Sequence, residues 1–155
     1  MAKQVITRRA SDNAYLHKDF HGALSVGLEY LEEHYGEEAV REYLHRFARA
    51  FYAPLTGRLQ QVGLAALEEH FAAMYRAEGA QPRTARTADD LFVEVDACPA
   101  VVHMRRHNYP VSRLFYETTR TVNEAICEGT AFAAELLDYD DETGRSIQHF
   151  YRRPL

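Results

Sequence analysis

Two histidines near the start of the chain have the spacing of a metal-binding or proton-transfer pair. His17 and His21 are four residues apart, so on a helix their imidazoles share one face. Such a pair can hold a divalent transition metal such as zinc, or move protons near neutral pH. Asp19 lies about 200° around the helix from His17 and is predicted to be a poor partner for either. Local hydrogen bonding at a helix end is the alternative interpretation.

The apolar stripe of this first predicted helix becomes polar at its beginning. Leucines at positions 24, 28 and 31 mark the stripe, and three polar side chains continue it towards the N-terminus: Asn13, His17 and His21. Buried polar groups need partners, so three in succession predict a lined pocket. His17 and His21 are therefore candidate catalytic residues or metal ligands, and Asn13 is a candidate substrate-binding residue.

Both cysteines lie at predicted junctions between elements. Cys98 follows a predicted strand and precedes Pro99, a residue tolerated at the first position of a helix. The partial positive charge of a helix N-terminus lowers a thiol pKa, which suits a nucleophile. Cys127 ends a long predicted helix, where the dipole disfavours thiolate. Each is a candidate catalytic residue, and simple packing in the core is the alternative for both.

A polar line runs along the helix that ends at Cys127. Tyr116, Arg120, Asn123 and Cys127 follow one another at spacings of three and four. A guanidinium and an amide on one face can hold a carboxylate substrate, so Tyr116, Arg120 and Asn123 are candidate substrate-binding residues. The same line is also typical of the solvated face of an amphipathic helix.

Two further histidine positions bear on the pocket. His103 and His107 form a second pair at a spacing of four, but the two arginines between them indicate a solvent-exposed surface. His149 lies in the last predicted strand, on the same side as Ile147 and Tyr151, and is a candidate extra pocket ligand.

Helical periodicity dominates the first half of the chain. Residues 1–12 are polar and lack a cap, which predicts a flexible N-terminus, whereas residues 13–155 are predicted to form a single α+β domain. The first helix is expected to end before Gly36. A second carries Val40, Leu44 and three aromatics on one face (Tyr43, Phe47 and Phe51). A short third follows Pro54, and a fourth ends at Gly79.

The second half changes from a helical to an extended pattern. Residues 80–90 have no apolar pattern and are predicted to be a connector. Leu91, Val93 and Val95 alternate with polar or outward residues and predict a strand. Helices are expected after Cys98 and from Ser112 to Cys127, and a hairpin around Gly144 closes the chain. Helices followed by a small antiparallel sheet predict the α+β class.

Composition narrows the classes of function. The chain has 155 residues, 46% of them hydrophobic, with a net charge of −5 and two cysteines. Scattered arginines and lysines argue against nucleic acid, and no apolar run reaches the roughly 20 residues that span a bilayer. The first residues lack the apolar core of a signal peptide and two cysteines form no disulfide framework, so we expect a cytoplasmic protein. Without a glycine-rich phosphate loop, we expect no nucleotide-dependent chemistry.

These features together resemble a known family. The helical first half, Cys98-Pro99 after a strand, and Ile126-Cys127-Glu128-Gly129 before a hairpin are similar to the L-2-amino-thiazoline-4-carboxylic acid hydrolase family. They are more distantly similar to vinyl-reductase-type ligand-binding domains. The similarity covers residues 13–151. Those distant relatives often carry a cysteine in the last strand, which this sequence lacks.

The resemblance implies a hydrolase that breaks a non-peptide C–N bond in a small cyclic amidine carboxylate. Cys98 or Cys127 would then attack the amidine carbon or bind a metal, His17 or His21 would move protons, and Arg120 would hold the carboxylate. A non-catalytic domain that binds a small ligand or a metal fits the same residues. A homodimer is the third prediction, since the chain holds ten tyrosines and eight phenylalanines.

Overall fold

The computed structural model describes residues 18–155. The predicted flexible N-terminus, Asn13 and His17 lie outside these residues. Six helices and four strands occur in the described part of the chain: α1 (Asp19–Tyr35), α2 (Glu37–Phe51), α3 (Ala53–Val62), α4 (Ala65–Ala77), β1 (Arg83–Arg86), β2 (Asp90–Val95), α5 (Pro99–Arg106), α6 (Glu117–Cys127), β3 (Phe132–Tyr139) and β4 (Ser146–Arg152).

The predicted α+β class is confirmed. The four strands form an antiparallel sheet in the order β1-β2-β4-β3, and the first four helices precede it in the chain. One face of the sheet is buried, because Leu91, Val93 and Val95 on β2 and Phe150 on β4 are covered. Helix α6 packs against β3 on one side and α2 on the other, while α4 contacts β1 and β2. Hydrophobic burial against this face joins the helical half to the sheet.

The helix boundaries follow local rules in most places. Gly36 separates α1 from α2 with φ of 85°, a conformation that glycine adopts without a steric penalty. Pro54 lies in the first turn of α3, where its missing N–H has no intrahelical partner to lose. Helix α3 therefore begins at Ala53 and includes Pro54, whereas the sequence pattern predicts a shorter helix that starts after the proline.

Three expectations about the elements were wrong. The predicted connector contains β1, whose four residues are all exposed, so no apolar alternation marks it. Helix α6 begins at Glu117, because Ser112 instead closes a turn in which its Oγ accepts from Leu114 N at 3.1 Å. On α2 the buried face holds Val40, Leu44 and Ala48, and the three aromatics predicted to face inward are exposed: Tyr43, Phe47 and Phe51.

Within the described residues, no helix is both long enough and apolar enough to traverse a lipid bilayer.

Candidate functional site

A cleft lies where the C-terminal end of α4, the end of β2 and the start of α5 meet. Its volume is about 570 Å³. This volume lies within the range of small-molecule sites in proteins. Five charged or titratable side chains line it: Lys18, Glu78, Asp96, His103 and Arg106. The cleft therefore presents carboxylates and cations to the same solvent-open space.

The predicted site residue His21 lies beside this cleft. Its Nε2 is 2.9 Å from Glu78 Oε1, across 57 positions of sequence. Both side chains are mostly covered, with 25% of His21 and 16% of Glu78 exposed. The contact joins the first turn of α1 to the residue that follows α4. The predicted partner His17 and the predicted substrate residue Asn13 lie outside the described residues.

Asp19 and His103 form a second contact between α1 and α5. His103 Nε2 lies 3.1 Å from Asp19 Oδ1, and the Tyr109 hydroxyl donates to the same oxygen at 3.2 Å. The hydrogen bond from His103 holds the Asp19 pKa below its usual value. His103 is thus tied to α1 and lines the cleft, in contrast to the exposed surface expected for it.

Asp96 contributes the second carboxylate of the cleft. Arg83 Nη1 donates to both of its oxygens, at 3.0 and 2.8 Å. These hydrogen bonds are the main reason that the pKa of the Asp96 carboxyl is lowered. Glu94 binds the other terminal nitrogen of Arg83 at 2.9 Å.

Cys98 is the N-cap of α5, as its position before Pro99 predicts. It lies between the cleft residues Ala97 and Pro99. Its pKa is nevertheless raised, because burial disfavours the thiolate more than the backbone N–H groups of Val101 and Ala100 favour it. The expectation of a lowered thiol pKa was therefore wrong in sign. The residue is partly exposed, but its sulfur faces the interior.

A buried hydrogen-bonded network lies behind Cys98. Asn123 Nδ2 donates to Gln148 Oε1 at 2.9 Å, and Gln148 Nε2 donates to the Tyr75 hydroxyl and to Ser146 Oγ, each at 3.1 Å. Tyr75 and Cys98 are close enough for their charges to interact, which contributes to the raised pKa of Tyr75 after burial itself. Asn123, predicted to bind substrate, thus serves this network.

Arg120 and Tyr116 are likewise not among the described residues that line the cleft. Arg120 Nε lies 3.2 Å from Oε2 of the fully buried Glu117, near enough to form an ion pair although not aligned for a hydrogen bond. Arg41 Nε donates to the other oxygen of Glu117 at 3.0 Å. The Tyr116 ring packs 6.0 Å from that of Tyr139. Arg120 therefore neutralises a buried carboxylate of its own chain.

The two cysteines do not share one site. Cys98 lies near Tyr139 and Gly144, at the hairpin end of the sheet, whereas Cys127 lies before Phe132, where β3 begins. These ends are about 23 Å apart along β3. Cys127 is completely buried, and burial raises its pKa to about 12. The polar line on α6 is thus internal at Asn123 and Cys127.

His149 lies on the opposite face of the sheet from Gln148. Its ring stacks on Phe92 at 4.2 Å, and its Nε2 is 2.9 Å from Asp90 Oδ1. The expectation that His149 joins the pocket was wrong, because alternate residues of a strand face opposite ways. Nowhere in residues 18–155 do three or more His, Cys, Asp or Glu side chains converge in a geometry that could hold a metal ion.

Sequence reasoning missed six residues of this region: Lys18, Tyr75, Glu78, Asp96, Arg106 and Gln148. The sequence pattern could have indicated Gln148, because this residue occupies an inward position of β4 between two buried residues, Ser146 and Phe150. A glutamine there needs buried partners. No sequence pattern indicates Glu78 or Tyr75, because their hydrogen-bond partners, His21 and Gln148, lie 57 and 73 positions away in the chain.

No protein-family model matches this chain, and no curated protein matches it significantly.

Proposed function

We propose that the chain binds a small molecule carrying both a carboxylate and a cationic amidine or amine. The observation that carries this proposal is the pairing of opposite charges in the 570 Å³ cleft. Lys18 and Arg106 can hold a carboxylate, and Glu78 and Asp96 can hold a cation. Cyclic amidine carboxylates, the substrate class that the resemblance implies, have this combination of charges.

Calorimetric titration tests the charge requirement. We expect 2-amino-thiazoline-4-carboxylate to bind, and its analogue without the carboxylate and the carboxylate without the amidine to bind at least tenfold more weakly. Arg106→Gln and Asp96→Asn should each weaken binding. Arg46→Gln and Glu42→Gln, which alter an exposed ion pair of α2, are the matched controls. Equal affinity for all three compounds would contradict the proposal.

Hydrolysis through Cys98 is the second candidate, because this thiol caps α5 between two residues that line the cleft, Ala97 and Pro99, and its sulfur would have to turn from the interior towards the cleft to reach a ligand. The thiolate would add to the amidine carbon and form a C–S bond. The C–N bond of the ring would then break as the ring nitrogen takes a proton. Water would next attack the same carbon and release the Cys98 sulfur as thiolate. His21, Glu78 and His103 are among the described groups at the cleft that can carry that proton.

Cysteine variants separate turnover from binding. If Cys98 is the nucleophile, Cys98→Ala abolishes ring opening, whereas Cys127→Ala leaves it near the wild-type rate because that thiol lies at the other end of the sheet. Full turnover in Cys98→Ala would remove thiol catalysis. Binding without turnover in the wild-type protein would leave the binding function alone.

A divalent metal at His17 and His21 stays a prediction. A metal bound at His21 Nε2 would have to replace the hydrogen bond to Glu78. Metal analysis of the purified protein, with His21→Gln as the comparison, tests it.

A cytoplasmic location is proposed on cysteine usage, since neither Cys98 nor Cys127 is in a disulfide.

A further inference from the structure

A second cleft lies at the opposite end of α4 from the first. Its volume is about 700 Å³, and it is bounded by the turn between α3 and α4, the loop before β3, and the ends of β1 and β4. Because α4 has 13 residues, the two clefts are about 20 Å apart. The second cleft therefore cannot belong to the site proposed above.

Two arginines, Arg86 and Arg152, line this cleft from different strands. Both side chains face the helices, since Arg86 pairs with Leu91 and Arg152 with Phe132, two buried residues. Strand β2 separates β1 from β4, so strand spacing and register place their Cα atoms about 12 Å apart. Two arginine side chains can reach one small ligand across that distance.

Each arginine is held in place through its Nε. Arg86 Nε donates to Glu68 Oε2 at 2.6 Å, and Arg152 Nε donates to Asp89 Oδ1 at 2.5 Å. The Arg152 guanidinium also lies over the Phe132 ring, 4.8 Å from its centroid. Among the described residues, the terminal nitrogens of these two arginines have no hydrogen-bond partner. Fixed guanidiniums with unused donors are suited to oxyanions.

One backbone N–H, that of Leu64, adds a donor on a third side. The cleft includes Gly63 and Leu64, which precede α4. No side chain caps this helix, and in the described chain the N–H of Leu64 has no acceptor. The helix end supplements the arginines, which define the site.

We propose that this cleft binds the phosphate group of a small phosphate monoester. A planar carboxylate is satisfied by one guanidinium, whereas a tetrahedral phosphate accepts hydrogen bonds from several directions at once. The 700 Å³ volume exceeds what phosphate alone needs and leaves room for an organic group. The carboxylates of Glu68 and Asp89 orient the arginines and also offset part of their charge.

Nuclear magnetic resonance titration of the wild-type chain tests the proposal without any substitution. We expect phenyl phosphate to shift the backbone amide signals of residues 63–65 and 129–131 in a saturable way. Benzoate at the same concentration should leave them in place. The backbone amide signals around the first cleft, such as those of Gly79 and Ala97, should not shift when phenyl phosphate is added.

Arginine variants then identify the donors. Arg86→Gln and Arg152→Gln should each raise the dissociation constant for phenyl phosphate about tenfold. Arg58→Gln, which removes an exposed arginine paired with Glu69 and outside the cleft lining, should change it less than twofold. The proposal is overturned by the absence of saturable shifts, by equal binding of benzoate, or by an equal effect of the Arg58 variant.

Discussion

Two opposing effects act on the thiol of Cys98, and their relative size decides its chemistry. The start of α5 directs backbone N–H groups towards the sulfur, which favours thiolate. Burial favours the neutral thiol and is the larger effect. The sequence predicted the first effect, because Pro99 marks a helix start. It could not predict the second, because the covering residues come from distant elements.

The buried Cys127 makes stability depend on pH. Its pKa rises from about 9 to about 12 on folding, so the unfolded chain loses the proton first. The stability contributed by the neutral thiol is present below pH 9 and decreases as pH rises towards 12. One such group lowers the free energy of unfolding by at most about 1.4 kcal/mol per pH unit in this window.

Urea unfolding between pH 8 and pH 10 measures this dependence. We expect the free energy of unfolding to fall with pH in the wild-type protein and to fall less steeply in Cys127→Ser. The serine variant is the control because it does not titrate there. The same slope in both proteins would contradict the assignment.

The buried amide network predicts strong coupling between two positions. Gln148→Leu leaves the Asn123 amide without its 2.9 Å acceptor, which should cost about 1–3 kcal/mol beyond the change in packing. Asn123→Leu together with Gln148→Leu should cost less than the sum of the two single changes, by about 1 kcal/mol. Chemical unfolding of the four proteins measures the difference, and strict additivity would argue against the network.

At the level of elements, apolar periodicity predicted the helices and strands that have a buried face, and it missed those without one. Strand β2 was found because Leu91, Val93 and Val95 alternate and are buried. Strand β1 was missed because its order comes from pairing with β2 and from ion pairs of Arg83 and Arg86, which leave no periodic pattern. The start of α6 was placed too early because Ser112 is a typical cap, although here it serves a tight turn.

The contact between the β3–β4 loop and α5 depends on a glycine. Gly144 has φ of 67°, and an added Cβ would lie 2.4 Å from Cys98 Cβ. Gly144→Ala should therefore lower the free energy of unfolding by about 2 kcal/mol or more. Gly57, inside α3 with open space around it, is the matched control, and Gly57→Ala should raise stability by about 0.5–1 kcal/mol. Thermal unfolding of both variants checks the opposite signs.

At the level of the whole molecule, the first cleft is assembled from parts that local patterns do not connect. Lys18, Glu78, Asp96 and Arg106 come from four separate regions of the chain. From the sequence, His21 and the junction around Cys98 are predicted places for chemistry. The carboxylates that face them could not be identified from the sequence, because ordinary surface positions carry the same residue types.

The exposed aromatics of α2 bear on the predicted homodimer. Tyr43, Phe47 and Phe51 are 47%, 42% and 64% exposed and follow one another at helical spacing. Exposed apolar stripes are typical of interaction surfaces. We therefore expect the aromatic stripe of α2 to be covered by a second copy of the chain. Sedimentation velocity should show a dimer for the wild-type protein and a monomer for Phe47→Ser with Phe51→Ser.

Leu137→Ser is the control for that experiment, since Leu137 is 48% exposed but lies on β3. It should leave the dimer intact. A monomeric wild-type protein at high concentration would rule out this interface.

The carboxylate of Glu117 also limits which sequences can adopt this fold. It is wholly enclosed and bonded to Arg41 from α2 and to Thr121 on its own helix. Removing only one member of such a buried pair costs about 3–5 kcal/mol, whereas exchanging both for apolar residues can be neutral. Because Arg120 also lies 3.2 Å from this carboxylate, natural variants of this protein should alter positions 41, 117 and 120 together or leave all three as they are.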